Sequence, residues 1–91
     1  MLPDQMEVYK TLTFGAGSIP KGLSKAHQLK AQTWGRLTVL TGQLVYVDEP
    51  TGARQALVAG QHVIIEPERR HHIEYDATTE IQIEFLHQVA H

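Results

Sequence analysis

Two histidine-bearing segments are the parts of this 91-residue chain whose residue types could do chemistry. The first, residues 24–27, ends in His27, and the second, residues 60–71, ends in His71. Imidazole and carboxylate groups on rigid strands are common ligands of divalent metal ions. A small β-barrel can bring two such segments to one side of one cavity. The sequence therefore predicts that the rings of His27 and His71 converge closely enough to share an ion.

Other residues are candidates for lesser roles. Trp34 and Tyr46 could line a ligand pocket. The alternative is that both are core residues whose polar N–H or O–H group forms a hydrogen bond. His72 follows His71 directly, and neighbours on a strand point to opposite faces, so His72 is expected to face outward. The remaining histidines are expected at the surface or at a sheet edge: His62, His87 and His91.

The elements that must position these residues are predicted to be β-strands. Turn signals recur every 8–12 residues, with β-branched and aromatic residues between them, which is typical of an all-β sandwich or barrel. About eight short strands are predicted in one domain spanning residues 1–91, with residues 1–5 and 88–91 expected to be flexible. They are residues 6–14, 23–29, 34–40, 43–48, 54–58, 62–66, 71–75 and 80–87.

Composition excludes several classes of function. The formal net charge is −2, so nucleic acid and anionic membranes are unlikely partners. The absence of cysteine excludes disulfides, thiolate metal sites and a cysteine nucleophile. No apolar run reaches the roughly 18–20 residues that span a bilayer, and the N-terminus does not look like a signal peptide. A cytoplasmic location is therefore expected.

Several blocks of the chain resemble a known family. They are IPKGL at residues 19–23, WGRLTVLTGQLVY at 34–46, IIEPERRHHIE at 64–74 and IEFL at 83–86, with a similar opening from Leu2. The chain resembles the TehB/YeaR-like small single-domain cupins, which are associated with tellurite resistance. The resemblance implies a double-stranded β-helix, a jelly-roll barrel open at one end. It implies no settled reaction.

The resemblance also implies a ligand set that this chain matches only in part. His71 matches the histidine of the second cupin motif, and His27 corresponds loosely to one histidine of the first. A typical cupin has a glutamate where this chain has Gly35, and a second histidine near His27 is missing. Glu66 and Glu84 are the carboxylates that could substitute. Either fewer or different protein ligands hold the metal, or there is none.

The alternatives for the site stay open at this point. Two imidazoles and one carboxylate would suit Zn, Fe(II), Ni or Mn, and only neutral imidazoles bind, so occupancy should fall below roughly pH 6. Without metal, His27 and His71 would be pocket histidines that hydrogen-bond a carboxylate. Glu84 lies between Ile83 and Phe85, so its side chain is on the strand face opposite to theirs, and that face points either to solvent or into the cavity.

Three functions follow from different classes. The first is a metal-binding cupin that acts on or senses a small molecule or an oxyanion. The second is a ligand-binding or sensing module that needs no metal and is not catalytic. The third is a stress-associated protein that acts through its outer surface. A homodimer is expected, and residues 6–14 are the candidate contact because an exposed edge strand otherwise favours aggregation.

Overall fold

Seven β-strands in two antiparallel sheets make up most of the computed structural model, which describes residues 2–89. One sheet has the order β1-β7-β2-β5 and the other β4-β3-β6. A short 3-10 turn, Lys21–Ser24, is present, and residues 2–89 contain no α-helix. The predicted all-β class is confirmed, and two such sheets are compatible with a small cupin barrel. The strands are β1 Met6–Phe14, β2 Trp34–Thr41, β3 Gln43–Asp48, β4 Arg54–Val58, β5 His62–Ile65, β6 His71–Tyr75 and β7 Glu80–Gln88.

The strands form because apolar residues alternate with polar ones. In β2, Gly35, Leu37 and Val39 are buried while the residues between them are only half-buried. This period of two puts one face of each sheet against the other sheet and leaves the second face toward solvent. The core between the sheets is built from Ile19, Leu37, Val39, Leu44, Tyr46, Leu57, Ile65, Ile73, Ile81 and Ile83.

The tight turn between β2 and β3 needs glycine. Gly42 has a φ of +78°, a conformation that L side chains rarely adopt. A Cβ atom on Gly42 would also lie 3.2 Å from the carbonyl oxygen of Thr78 and 3.2 Å from the Cα of Thr79. The turn therefore fixes the register of the hairpin against the segment that precedes β7.

The segment predicted as a strand over residues 23–29 differs from that prediction. Its first part is the 3-10 turn, in which the Leu23 amide donates to the Pro20 carbonyl at 3.0 Å. Local hydrogen bonds of this kind compete with ladder pairing. Only two residues of the segment reach a neighbour in isolated bridges: His27 pairs with His71, and Leu29 with Pro67. Seven strands are therefore observed where about eight were predicted.

Backbone pairing joins the two ends of the described residues. β7 runs through Gln88, and the Val89 amide donates to the Gln5 carbonyl at 2.9 Å, which ties the two ends together. His91, with residues 1 and 90, lies outside the described residues. Among residues 2–89, no helix is long and apolar enough to cross a membrane.

The edge of the larger sheet is formed by β1. This strand pairs with β7 alone, and its register shifts between Val8 and Lys10, so Tyr9 forms a bulge. Val8 and Tyr9 are exposed. Homodimer formation through this strand stays a prediction.

Candidate functional site

The structure brings His27 and His71 together. Their backbones form an antiparallel bridge, in which the His27 amide donates to the His71 carbonyl at 2.9 Å and the His71 amide donates to the His27 carbonyl at 2.8 Å. Their ring centres lie 4.2 Å apart with an interplanar angle of 64°. Two positions 44 residues apart in sequence are thus held side by side at the start of β6.

Backbone carbonyls fix the tautomer of both rings. The Nδ1 of His27 lies 2.9 Å from the Lys25 carbonyl oxygen, and the Nδ1 of His71 lies 2.8 Å from the Arg69 carbonyl oxygen. A carbonyl only accepts hydrogen bonds, so each Nδ1 must carry the proton that it donates. In the neutral rings the lone pair is therefore on Nε2, which is the arrangement that metal-binding histidines commonly have.

His71 is the more deeply buried of the two. Its residue is 2% exposed, and its ring stacks on Tyr46 with centres 5.3 Å apart and an interplanar angle of 23°. Burial lowers the pKa of His71, and the neighbouring His27 ring lowers it further, while the hydrogen bond to Arg69 acts in the opposite direction. His71 is therefore a neutral imidazole at physiological pH.

Both rings line a small cavity whose other walls are apolar. Its volume is about 100 Å³. Gly35 lies next to two lining residues. A Cβ atom on Gly35 would lie 3.1 Å from a methyl carbon of Leu29 and 3.4 Å from Ile65. The absent side chain thus leaves Leu29 and Ile65 room to form the wall. The lining residues are Leu23, His27, Leu29, Leu37, Ile65, His71, Ile73, Ile83 and Phe85.

The loop between β5 and β6 positions His71. The Glu68 amide donates to the Leu29 carbonyl at 2.8 Å, and Arg69 binds both carboxylate oxygens of Asp48 at 2.7 Å. Arg69, together with the hydroxyl of Thr51, holds the pKa of Asp48 well below its usual range. The Arg69 carbonyl is thereby held in place to accept the Nδ1 proton of His71. Sequence reasoning did not identify this ion pair.

The two candidate carboxylates are not brought to the imidazoles. Glu84 lies on the outer face of β7, opposite the buried Ile83, and forms a two-point ion pair with Arg36 at 2.7 and 3.1 Å. Arg36 lowers the pKa of Glu84. Glu66 is exposed and borders a separate surface cavity. Strand alternation explains the placement of Glu84, which follows the buried Ile83 in β7, and Glu66 directly follows Ile65, the buried last residue of β5.

The two aromatic candidates are on different faces, and neither lines the cavity beside the imidazoles. Tyr46 is buried and packs behind His71, so it supports the cavity without lining it; burial raises its pKa to about 12. Trp34 shares the outer face of β2 with Arg36 and does not line the cavity beside the imidazoles. His62 and His87 are exposed, as predicted, and the ring of His87 contacts that of Tyr9.

The donor set fits a metal ion only in part. Within the described part of the chain, residues 2–89, no group of three or more His, Asp or Glu side chains is placed to hold an ion. The rings of His27 and His71 supply two nitrogen donors, whereas catalytic zinc sites commonly have three protein ligands. Any ion held by this pair would therefore take its other ligands from outside the chain.

Comparisons with known proteins agree with the fold and the family resemblance. The sequence matches the family described as TehB-like domain over residues 9–83. TehB from Haemophilus influenzae is similar in structure, with 25% identity and a TM-score of 0.81, over 93% of this chain and 32% of that one. This chain thus spans about a third of that protein. An E. coli K12 protein is also similar, with 21% identity and a TM-score of 0.86, over 99% of this chain and 98% of that one. Among curated proteins, none matches significantly.

Proposed function

We propose, from the premise that this chain belongs to the TehB-like domain family, that it is a binding domain with an open two-histidine metal site. In this proposal His27 and His71 are the protein ligands of a divalent ion. A small molecule binds at the ion's open positions with its remainder in the adjoining cavity. The association of the family with tellurite enters only as one candidate ligand, an oxyanion.

The observation that carries the proposal is the geometry of the two rings. Two nitrogen atoms bound to one tetrahedral ion at about 2.0–2.1 Å lie roughly 3.4 Å apart. With ring centres 4.2 Å apart, the two imidazoles are in contact, and a rotation of the rings could bring both Nε2 atoms to that spacing. Each ring is already held by its Nδ1 in the tautomer that leaves Nε2 free to bind. The tautomers of the pair therefore need no change to accept an ion.

The chain's own residues have three roles in this proposal. The carbonyls of Lys25 and Arg69 orient the rings. The Asp48–Arg69 ion pair holds one of those carbonyls in place. The apolar cavity wall excludes water from the ligand. A bound divalent ion would supply Lewis acidity at its open positions.

Calorimetric titration of untagged protein with Zn²⁺ at pH 7.5 tests this proposal. We expect one site per chain that is lost when His27 and His71 are both replaced by alanine. His62→Ala with His87→Ala is the matched control, because it removes two exposed imidazoles and should leave the site intact. Equal zinc binding by both double variants would overturn the proposal, as would the absence of stoichiometric binding by the unaltered protein.

The second candidate is a ligand-binding module that works without metal. It is favoured by one observation, that apolar side chains complete the cavity and no third protein ligand is near the rings. Here the Nε2 atoms would act as hydrogen-bond acceptors. Thermal-shift measurements with small ligands in EDTA separate the two candidates. Stabilisation that persists in EDTA and is lost in the His27→Ala/His71→Ala variant favours this candidate.

A further inference from the structure

The chemistry of the cavity wall restricts what can bind beside the imidazoles. Apart from His27 and His71, every lining residue is Leu, Ile or Phe, and no charged side chain takes part. A free oxyanion placed in this wall would have no cationic side chain to pair with, and burying an unpaired charge is costly. The wall is instead suited to a hydrocarbon group.

The cavity has a defined depth. Its half-buried lining residues, Leu23, Leu29 and Phe85, form the side nearer to solvent. Leu37 and Ile73 belong to its floor and are 2% and 1% exposed. The imidazoles lie in the same wall, so a ligand can place a polar group at the rings and an apolar group on the floor.

The volume of the cavity sets the size of that apolar group. An engineered apolar cavity of about 150 Å³ binds benzene, which has six heavy atoms. A cavity of about 100 Å³ should by proportion hold about four. From this we infer that the ligand of the imidazole pair is a small aliphatic molecule with one oxygen, nitrogen or sulfur donor and an apolar part of about four heavy atoms. This inference rests on the proposed function for the contact between donor and metal, and on the cavity alone for the aliphatic part.

A series of unbranched carboxylates from acetate to hexanoate, titrated into Zn²⁺-loaded protein, tests the inference. Each methylene that enters the cavity should increase affinity about fourfold, up to butyrate or pentanoate, and hexanoate should bind no better. Sodium tellurite is titrated in parallel as an oxyanion without an apolar part, and it should bind more weakly than butyrate. Equal affinity along the series, or tellurite binding more tightly than butyrate, would overturn the inference.

Variants of Leu23 give a second test at low risk to folding, because this residue is half-buried and lies in the 3-10 turn. Leu23→Ala should move the optimal chain length up by about two carbons, and Leu23→Phe should move it down. Val39→Ala is the matched control, since Val39 is a core residue that does not line the cavity. If all three variants keep the original optimum, the cavity is not the binding site.

Unbranched alcohols in EDTA distinguish failure of this inference from failure of the metal proposal. If Zn²⁺ does not bind, a dependence of alcohol binding on chain length, with its optimum at about four carbons, still supports the aliphatic ligand. If Zn²⁺ binds and neither the acids nor the alcohols show such a dependence, the metal proposal stands and the inference about the ligand is wrong.

Discussion

His71 and His72 are adjacent in β6, yet their surroundings are opposite. His71 faces the core, with its ring against Tyr46 and its Nδ1 on a backbone carbonyl. His72 faces outward between two carboxylates: its Nδ1 contacts Glu49, and its Nε2 lies 3.5 Å from Glu74. One ring is buried beside a second imidazole, and the other lies between two carboxylates.

The comparison shows that strand alternation, and not residue type, decides which imidazole could bind a metal. The carboxylates beside His72 are already engaged, because Arg54 donates to Glu74 at 3.1 Å and lowers the pKa of that carboxylate. His71 instead shares its cavity with His27 and no carboxylate. A matched pair of substitutions in β6 can therefore separate the inner site from the outer cluster.

The largest effect is expected on zinc affinity. His71→Ala removes one of two protein ligands, and we expect affinity to fall at least about 100-fold, since loss of a mere supporting partner typically costs about 10–100-fold. His72→Ala should change it by less than about twofold. Calorimetric titration of both variants at pH 7.5 measures the difference. A similar loss in the two variants would mean that the inner face has no special role.

The next effect is on the pH dependence of stability. The pKa of His71 is lower in the folded chain than the ordinary value of about 6.5 in the unfolded chain. As pH falls through about 6.5, the unfolded chain binds a proton that the folded chain does not. The stabilisation is therefore complete above about pH 6.5, and it declines below by at most about 1.4 kcal/mol per pH unit.

Urea unfolding at pH 7.5, 6.5 and 5.5 measures this slope. His71→Phe keeps a ring against Tyr46 and should flatten the decline between pH 6.5 and 5.5. His72→Gln is the control, because it removes the outward-facing histidine of the same strand. If His71→Phe leaves the pH dependence unchanged, the burial of a neutral imidazole is not what sets it.

A smaller effect is expected from the support behind His71. Asp48→Asn removes the charge that anchors Arg69, whose carbonyl accepts the Nδ1 proton of His71. The carbonyl itself stays, so zinc affinity should fall by less than the roughly 10–100-fold that is typical when a direct partner of a ligand is lost. Glu74→Gln disturbs an ion pair of the outer face and is the matched control. A loss of affinity in Glu74→Gln as large as in Asp48→Asn would contradict this role.

The smallest effect is expected from the outer carboxylates. Glu84→Gln breaks the partly exposed pair with Arg36, and such pairs contribute about 0.2–1 kcal/mol to stability. Neither Glu84→Gln nor Glu66→Gln should alter zinc affinity, because neither carboxylate is brought to the rings. Urea unfolding and zinc titration of the two variants check both statements. A weaker zinc site in either would mean that a carboxylate turns inward when metal binds.

Much of the fold could be predicted because local pattern determines it. All seven observed strands lie within a residue of the predicted bounds, since turns and alternation are encoded locally, as at Gly42. Alternation also predicted that His71 and His72 face opposite sides. The sequence left open whether Glu84 faces the cavity or solvent. Because Ile83 is in the core, alternation places the following residue, Glu84, on the outer face.

The rest depends on pairing between distant segments, which no local pattern specifies. The stacking of Tyr46 on His71 requires the register of β3 against β6, in which Asp48 lies opposite His71. The salt bridge between Asp48 and Arg69 follows from the same register. The segment around His27 was predicted as a strand because its residues favour extension, but its first turn hydrogen-bonds locally and only isolated bridges remain.

The tautomers of His27 and His71 test most directly whether the two imidazoles form a metal site. Two-dimensional ¹H–¹⁵N NMR of the imidazole rings, recorded at pH 7.5 before and after addition of Zn²⁺, reports which nitrogen carries the proton. We expect protonated Nδ1 and unprotonated Nε2 in both rings, with both Nε2 signals shifting as one equivalent of zinc is added. Protonated Nε2 in either ring, or Nε2 signals that do not respond to zinc, would contradict this expectation.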